Sequence, residues 1–167
     1  TGLVAYYQMN NSVQDSSGKG NNGTLVGAPT YVAGKAGTAL SFNGPTACVD
    51  LGKKDTWNPT GSFSVSLWAN ITAWGTAWGH VMVSNRGETD NSVANGWQIR
   101  RGSGTGLCWT TRGIGGTDDL TGATPAQNEW VHITCVFDQA GATKTLYING
   151  VMSITGNTNA NAKITAT

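Results

Sequence analysis

Charged residues are scarce in this chain of 167 residues, because Asp, Glu, Lys and Arg together make up only 11% of it, against about 25% in an average soluble protein. The net charge is +1, so the sequence lacks the basic surface that binds nucleic acid. It contains no run of about 18 apolar residues, and we therefore predict no membrane insertion. A chain of this length suits one domain, residues 1–167, with its own core.

Cysteine is sparse as well. Cys48, Cys108 and Cys135 lie far apart, at a spacing that matches no zinc motif. Cys108 and Cys135 fall inside strand-like runs, which predicts buried free thiols. The alternative is one disulfide and one free thiol. An odd count argues against a scaffold held together by disulfides, so cysteine does not decide the compartment.

Long helical periodicity is also missing, and short runs of period two replace it. Residues 63–71 place Phe63 and Val65 on one face and Trp68 on the other. Residues 130–137 alternate in the same way. Asn149 and Gly150 between two such runs predict a two-residue hairpin, since both tolerate positive φ. Further strands are predicted at residues 3–9, 23–26, 39–42, 48–51, 80–84, 96–100, 106–112, 144–148, 152–155 and 162–165.

Many short strands with turn residues between them predict an all-β fold. We expect a two-sheet antiparallel jelly-roll sandwich. The chain begins at Thr1 rather than at methionine, which a removed signal peptide or excision from a larger protein would explain. Its polarity comes mainly from uncharged residues, as in many extracellular β-rich modules. We therefore expect an extracellular, secreted or surface-exposed location.

An ordered set of motifs runs along nearly the whole chain: GLVAYYQMN at 2–10, DSSGKGNNGTL at 15–25, GKAGTALSFNG at 34–44, VDLG at 49–52, FSVSLW at 63–68, WVHI at 130–133 and LYING at 146–150. This set resembles the laminin-G-like, concanavalin A-type jelly rolls of the lectin/glucanase superfamily. The resemblance implies two stacked sheets, one of them concave, with ligands on the concave face or its rim. Many such domains belong to polysaccharide-degrading enzymes, adhesins or phage fibres.

The chain departs from the family pattern at its end. Relatives usually continue into a strand ending in YIG and then a strand with an Asp-Glu pair, and this chain stops at Thr167 before either. The resemblance then implies an unpaired sheet edge beside the first strand. Either the chain is a fragment of a larger extracellular protein, or a partner chain, such as a second copy in a homo-oligomer, completes the sheet.

Carboxylates in catalytic positions are lacking. A retaining glycosidase needs two carboxyl groups about 5–5.5 Å apart on one face. Glu88 and Asp90 have a suitable spacing but lie in a predicted loop, and Asp118 and Asp119 are adjacent, so in a strand they would face opposite sides. We predict no catalysis. His132 is predicted to be a hydrogen-bonded residue packed near Trp68.

The candidate carbohydrate site combines loop tryptophans with planar polar side chains. Sugar rings stack on aromatic faces while a few fixed polar groups bond the hydroxyls. The alternatives are rim packing for the tryptophans and solvated surface positions for the arginines. Four other tryptophans, Trp57, Trp97, Trp109 and Trp130, are predicted to pack in the core. The predicted sugar-binding residues are Trp74 and Trp78 in the loop at 72–79, Gln98, Arg100 and Arg112 on one sheet face, and Arg86 on the rim.

The resemblance also implies a structural calcium ion near the first strand. The matching positions are Asn10, Asn22 and Asn43, where relatives often carry Asp. Amide oxygens bind calcium more weakly than carboxylates because they carry no full charge. The alternative role for the three residues is the capping of turns.

Together these features predict a non-catalytic, lectin-like module that binds a polysaccharide or glycan. The alternative is a structural or adhesive domain of a surface appendage or virion fibre. A glycoside hydrolase is the less favoured third hypothesis.

Overall fold

The computed structural model describes residues 2–75, 80–85, 96–104, 106–113 and 116–157, with backbone only at 112, 113 and 116–118. The chain divides into two compact units, Thr1–Thr56 and Trp57–Thr167. In the described part, strands and one short 3-10 turn at Asp55–Trp57 make up the regular structure. None of its helices is long and apolar enough to cross a membrane.

The first unit holds two small antiparallel pairs, in which β1 pairs with β4 and β2 pairs with β3. Several of its apolar side chains are exposed, among them Leu3, Val4 and Phe42. Its strands are β1 (Thr24–Val26), β2 (Thr30–Ala33), β3 (Thr38–Ser41) and β4 (Cys48–Asp50).

The second unit holds two four-stranded antiparallel sheets. Sheet A has the order β12-β11-β10-β5 and sheet B has the order β6-β7-β8-β9. The strands are β5 (Phe63–Asn70), β6 (Val81–Ser84), β7 (Gly96–Arg101), β8 (Leu107–Gly113), β9 (Gly116–Thr121), β10 (Trp130–Asp138), β11 (Thr143–Ile148) and β12 (Val151–Asn157).

The core lies between sheets A and B. Burial alternates with period two along β5 and β10, as the sequence predicts. Phe63 on β5 packs against Trp97 and Trp109 of sheet B, with ring centroids 5.8 and 5.7 Å apart, and against Phe137 on β10 at 5.6 Å. Full burial of one such side chain stabilises the fold by about 1.5–3 kcal/mol.

Polar contacts also join the two sheets. The buried Nζ of Lys144 on β11 donates to the Trp109 carbonyl at 3.2 Å and to Thr111 Oγ1 at 3.3 Å. The indole Nε1 of Trp109 donates to the Val136 carbonyl on β10 at 3.3 Å. The prediction of an all-β, two-sheet antiparallel jelly roll is confirmed.

Most predicted strands agree with the structure to within a few residues, and the hairpin at Asn149 and Gly150 has positive φ at both positions, 52° and 78°. Strands β2 and β9 were not predicted. β2 is short and follows a proline. β9 contains Asp118 and Asp119, and aspartate is depleted in strands. The strand predicted at 162–165 lies outside the described residues.

The prediction of a strand at residues 3–9 is wrong. Within the described ranges no strand pairs with this segment. Its backbone makes turn contacts instead: Tyr6 N–H donates to Asp15 Oδ1 at 3.0 Å, and the Tyr6 carbonyl accepts from Ser16 N–H at 2.7 Å.

Of the predicted core tryptophans, Trp97 and Trp109 are buried, whereas Trp57 and Trp130 are half-buried.

Asp15 organises a turn of the first unit. Besides the Tyr6 N–H, its carboxylate accepts bonds from Ser17 N–H at 2.9 Å, Ser17 Oγ at 2.8 Å and Asn21 N–H at 2.9 Å. Partial desolvation acts to raise the pKa of Asp15, but these hydrogen bonds outweigh it and hold the pKa well below its usual range. Burial, together with the Asp15 charge, raises the pKa of Tyr7 to about 12.

The Asp15 turn predicts a pH-dependent loss of stability. Because the folded-state pKa lies below the unfolded value of 3.8, the carboxylate stabilises the fold above about pH 4, and this stabilisation is lost as the pH falls through the folded-state pKa. We expect Asp15→Asn to lower the urea midpoint at pH 7, since an amide NH2 would face the N–H donors.

The matched control is Asp50→Asn, because the Asp50 carboxylate also stabilises a turn, by accepting a hydrogen bond from Gly52 N–H at 2.8 Å. Urea titrations of wild type and both variants at pH 7 and pH 2.5 check the prediction. The difference in urea midpoint between wild type and Asp15→Asn should be smaller at pH 2.5 than at pH 7. Equal midpoints for the two variants at pH 7 would contradict it.

Candidate binding site

An aromatic and polar cluster lies on the face of sheet A that points away from the core, which we call the open face. Trp68 on β5 pairs with His132 on β10, and Ser66 pairs with Thr134. Directly opposed residues on paired strands share a face. Trp68 is 49% exposed, and its ring centroid lies 5.0 Å from that of His132 with an interplanar angle of 41°.

Hydrogen bonds fix the polar part of this cluster. Ser66 Oγ lies 2.7 Å from His132 Nε2 and 3.2 Å from Thr134 Oγ1. The His132 N–H donates to Asn149 Oδ1 at 2.8 Å, and the Asn149 N–H donates to the His132 carbonyl at 2.8 Å. The hairpin therefore positions His132. The prediction of a hydrogen-bonded His132 beside Trp68 is confirmed.

His132 keeps one nitrogen unused within the described part of the chain. Nε2 contacts Ser66, while Nδ1 has no hydrogen-bond partner among the described residues. The open face continues across the sheet, because Thr134 pairs with Tyr147 and Tyr147 pairs with Met152. An exposed indole thus stands beside hydroxyl and imidazole groups that can bond a polar ligand.

Gln98 and Arg100 lie on the face of sheet B away from the aromatic core, on the same side as Thr110. Both are buried, with 8% and 5% exposure, so the alternative of a solvated Arg100 is wrong. Arg100 Nε donates to Thr110 Oγ1 at 2.9 Å, and Nη2 lies 3.2 Å from both carboxylate oxygens of Asp119 on β9. Asp119 therefore reaches Arg100 from β9, across the intervening strand β8, and supplies the opposite charge that a buried guanidinium requires.

Gln98 belongs to the same buried face. Its Nε2 donates to Ser84 Oγ at 3.1 Å, whereas its Oε1 is buried without a hydrogen-bond partner among the described residues. Gln98 and Arg100 thus both contact groups of sheet B itself. A role for either in sugar binding stays a prediction.

Trp74 is half-buried and packs against the core cluster, which corresponds to the packing alternative rather than to an exposed stacking face. The other predicted residues of this site are not described: Trp78 and Arg86 lie outside the described residues, as do Glu88 and Asp90, and Arg112 is described by its backbone alone in β8. Their roles stay predictions.

Each of the three predicted calcium ligands accepts a hydrogen bond from a different residue. Asn10 Oδ1 accepts from Thr38 N–H at 3.3 Å, Asn22 Oδ1 from Asp15 N–H at 3.0 Å, and Asn43 Oδ1 from Ser41 Oγ at 3.3 Å. They share no partner among the described residues, and only the Asn43 contact, two residues away in sequence, has the spacing of a turn cap. Calcium binding stays a prediction that the structure does not test.

The cysteines are free, as predicted: Cys108 and Cys135 are buried and Cys48 is exposed. Burial, and to a smaller extent the nearby Cys108, raise the pKa of Cys135 to about 12, although Lys144 acts in the opposite direction. The Cys135 thiol therefore stays protonated at neutral pH and is no nucleophile.

Comparisons with known proteins agree with this architecture. A laminin-G family model, described as the concanavalin A-like lectin/glucanases superfamily, matches residues 42–167. The crystal structure of the botulinum neurotoxin serotype G binding domain is similar to this chain, with a TM-score of 0.63 and 17% sequence identity; the match covers 90% of this chain and 37% of that chain. At that identity the likeness shows the fold alone. A search of the curated proteins finds no match.

The Arg100–Asp119 pair predicts a coupled loss of stability. We expect Asp119→Leu to reduce the free energy of unfolding by about 2–3 kcal/mol, below the full cost of breaking a buried pair, because Asp119 retains some contact with solvent. The double variant Arg100→Met with Asp119→Leu removes both charges and should recover most of that loss. Urea unfolding of both variants checks this, and a single variant within about 0.5 kcal/mol of wild type would contradict it.

Proposed function

Because the chain belongs to the concanavalin A-like lectin/glucanases superfamily, we propose that it is a non-catalytic carbohydrate-binding module of an extracellular or surface protein. The open face of sheet A is its sugar-binding surface. Trp68 stacks on a sugar ring, and Ser66, His132 and Thr134 bond the hydroxyls. The site thus moves from the loop tryptophans and sheet-B polar residues of the sequence prediction to the opposite sheet.

The observation that supports this proposal most strongly is the exposure of Trp68. Trp97 and Trp109 pack in the core, whereas half of the Trp68 surface faces solvent on the open face. The apolar C–H side of a sugar ring can cover such an indole, and nearby polar groups then fix its orientation. A large exposed aromatic side chain rimmed by polar residues is typical of a binding surface.

The open face is also pre-organised. Trp68 is held by the β5–β10 pairing and by its contact with His132, and the Asn149 hairpin holds His132 in turn. Little side-chain freedom is then lost when a ligand binds. The surface is shallow, so we expect a dissociation constant of ~10⁻³–10⁻⁵ M, equivalent to about 4–7 kcal/mol.

Absence of catalysis is part of the proposal. Hydrolysis of a glycosidic bond requires an acid and a second carboxylate that flank the bond. Asp119 is engaged by Arg100, and the side chains that pair across the described open face near Trp68 carry hydroxyl, amide and imidazole groups rather than carboxylates. These groups support binding and not acid–base cleavage of a glycoside.

A second candidate function is self-assembly in a surface structure, and the exposed apolar side chains of the first unit favour it. Exposed apolar side chains are common at protein contacts. The residues concerned are Leu3, Val4, Tyr6, Val32 and Phe42. The partner under this hypothesis is a second copy of the chain. Light scattering should give a dimeric mass that falls after Phe42→Ser, and a monomeric mass at high concentration would exclude it.

The carbohydrate proposal predicts that Trp68→Ala weakens binding to a glycan found by array screening about tenfold or more, since lost stacking costs about 1.4 kcal/mol. The matched control is Tyr6→Ala, because Tyr6 has the same exposure of 49% and lies in the other unit. Calorimetric titration measures both affinities. The assignment to the open face would be contradicted if Trp68→Ala left the affinity unchanged. It would also be contradicted if Trp74→Ala and Trp78→Ala each lowered the affinity as much as Trp68→Ala does.

A further inference from the structure

The open face carries hydroxyl, amide and aromatic groups, and its central rows carry no charge. Its paired rows follow from the strand registers of sheet A. The side chains on it are Ser64, Ser66, Trp68 and Asn70 on β5, Trp130, His132, Thr134 and Val136 on β10, Thr145 and Tyr147 on β11, and Met152 and Thr155 on β12. None of these residues is Asp, Glu, Lys or Arg. Asp138, at one end of β10, accepts a bond from Ser62 Oγ at 3.1 Å.

Two cations of the second unit are used inside the fold. Arg100 is paired with Asp119 on sheet B, and Lys144 is buried between the sheets, where it donates to the Trp109 carbonyl and to Thr111 Oγ1. Neither lies on the open face. Among the described residues, the side chains that pair around Trp68 on the open face include no Asp, Glu, Lys or Arg.

Charge complementarity decides which glycans this surface accepts. Carboxylate and sulfate groups are recognised by Arg or Lys, whose charged hydrogen bonds are about twice as strong as neutral ones. An acidic group pressed against Trp68 and Thr134 would lose hydration without gaining a cationic partner, which is costly. Neutral hydroxyls, in contrast, can exchange water for Ser66, His132 and Thr134.

The dimensions of the face favour more than one sugar ring. Neighbouring strands lie about 4.8 Å apart, so the four strands span roughly 14 Å from β5 to β12. Apolar side chains stand at both ends of this span, Trp68 on β5 and Met152 on β12, where Met152 is 56% exposed. Thr134 and Tyr147 lie between them.

We infer that the ligand is an uncharged oligosaccharide that lies across the strands of sheet A, from Trp68 to Met152. This inference rests on the proposed function and adds to it the ligand class and the direction of the bound chain. Uronic acids, sulfated glycans and sialylated glycans are excluded from the open face.

Titration of the full chain against matched glycans tests the inference. The probes are neutral oligosaccharides and the same oligosaccharides with a carboxylate or sulfate, at 50 and 500 mM NaCl and pH 8. We expect at least tenfold tighter binding of the neutral member, and an affinity that changes less than twofold with salt, because no ion pair is screened.

Two variants locate the bound chain. Met152→Ala should weaken binding of a tetrasaccharide severalfold while leaving a disaccharide bound at the Trp68 end unchanged. Val151→Ala is the matched control, since Val151 is also exposed at the start of β12. An equal effect of the two variants on the tetrasaccharide, or an equal effect of Met152→Ala on both ligands, would overturn the proposed direction.

The outcomes separate this inference from the proposed function. Preferential, salt-sensitive binding of acidic glycans that is lost in Trp68→Ala would overturn the inference and keep the carbohydrate function of the open face. Binding of no glycan, or binding that ignores Trp68→Ala, would overturn the function of that face itself. Neutral, salt-insensitive binding that depends on Trp68 and Met152 supports both.

Discussion

The packing of Phe63 against Trp97 and Trp109 is the contact on which the second unit depends. It couples sheet A to sheet B through rings whose centroids lie within 5.8 Å of Phe63. Because side chains on a strand alternate between faces, fixing Phe63 inward forces Trp68, five positions later, outward. The β5–β10 register then brings His132 beside Trp68. The same alternation that fills the core therefore assembles the candidate binding surface.

Two cations of the second unit, Lys144 and Arg100, are buried and make polar contacts within the fold. Lys144 bridges the sheets, and the buried Arg100 on sheet B contacts Thr110 and the partly exposed Asp119. Buried charges require such partners, since an unpaired one would be severely destabilising. The open face is left with hydroxyl, amide and imidazole groups. Under the proposed function, the low charge that is visible in the composition favours an uncharged ligand on this surface.

The sequence predicts those features that depend on local pattern. Alternation identifies β5 and β10, and Asn149 with Gly150 identifies the hairpin, because each signal is contained in a few neighbouring residues. The strand predicted at residues 3–9 has the right pattern, but a strand also needs a pairing partner, and the Asp15 turn takes up part of its backbone instead. The burial of Arg100 could not be predicted, since it depends on Asp119 from another strand. The pairing of Trp68 with His132 could not be predicted, since it depends on the register of two strands that are far apart in sequence. The alternation within each strand indicates only that both residues lie opposite the apolar set of their strand.

Oxidative footprinting of the tryptophans, read by mass spectrometry, tests the central claim most directly, because it reports the solvent contact of each indole in one experiment. The account predicts rapid labelling of Trp68 and strong protection of Trp97 and Trp109, which are 49%, 8% and 0% exposed. Protection of Trp68 together with labelling of Trp97 or Trp109 would contradict the assignment of inner and outer faces. The proposed sugar-binding surface would then be lost along with it.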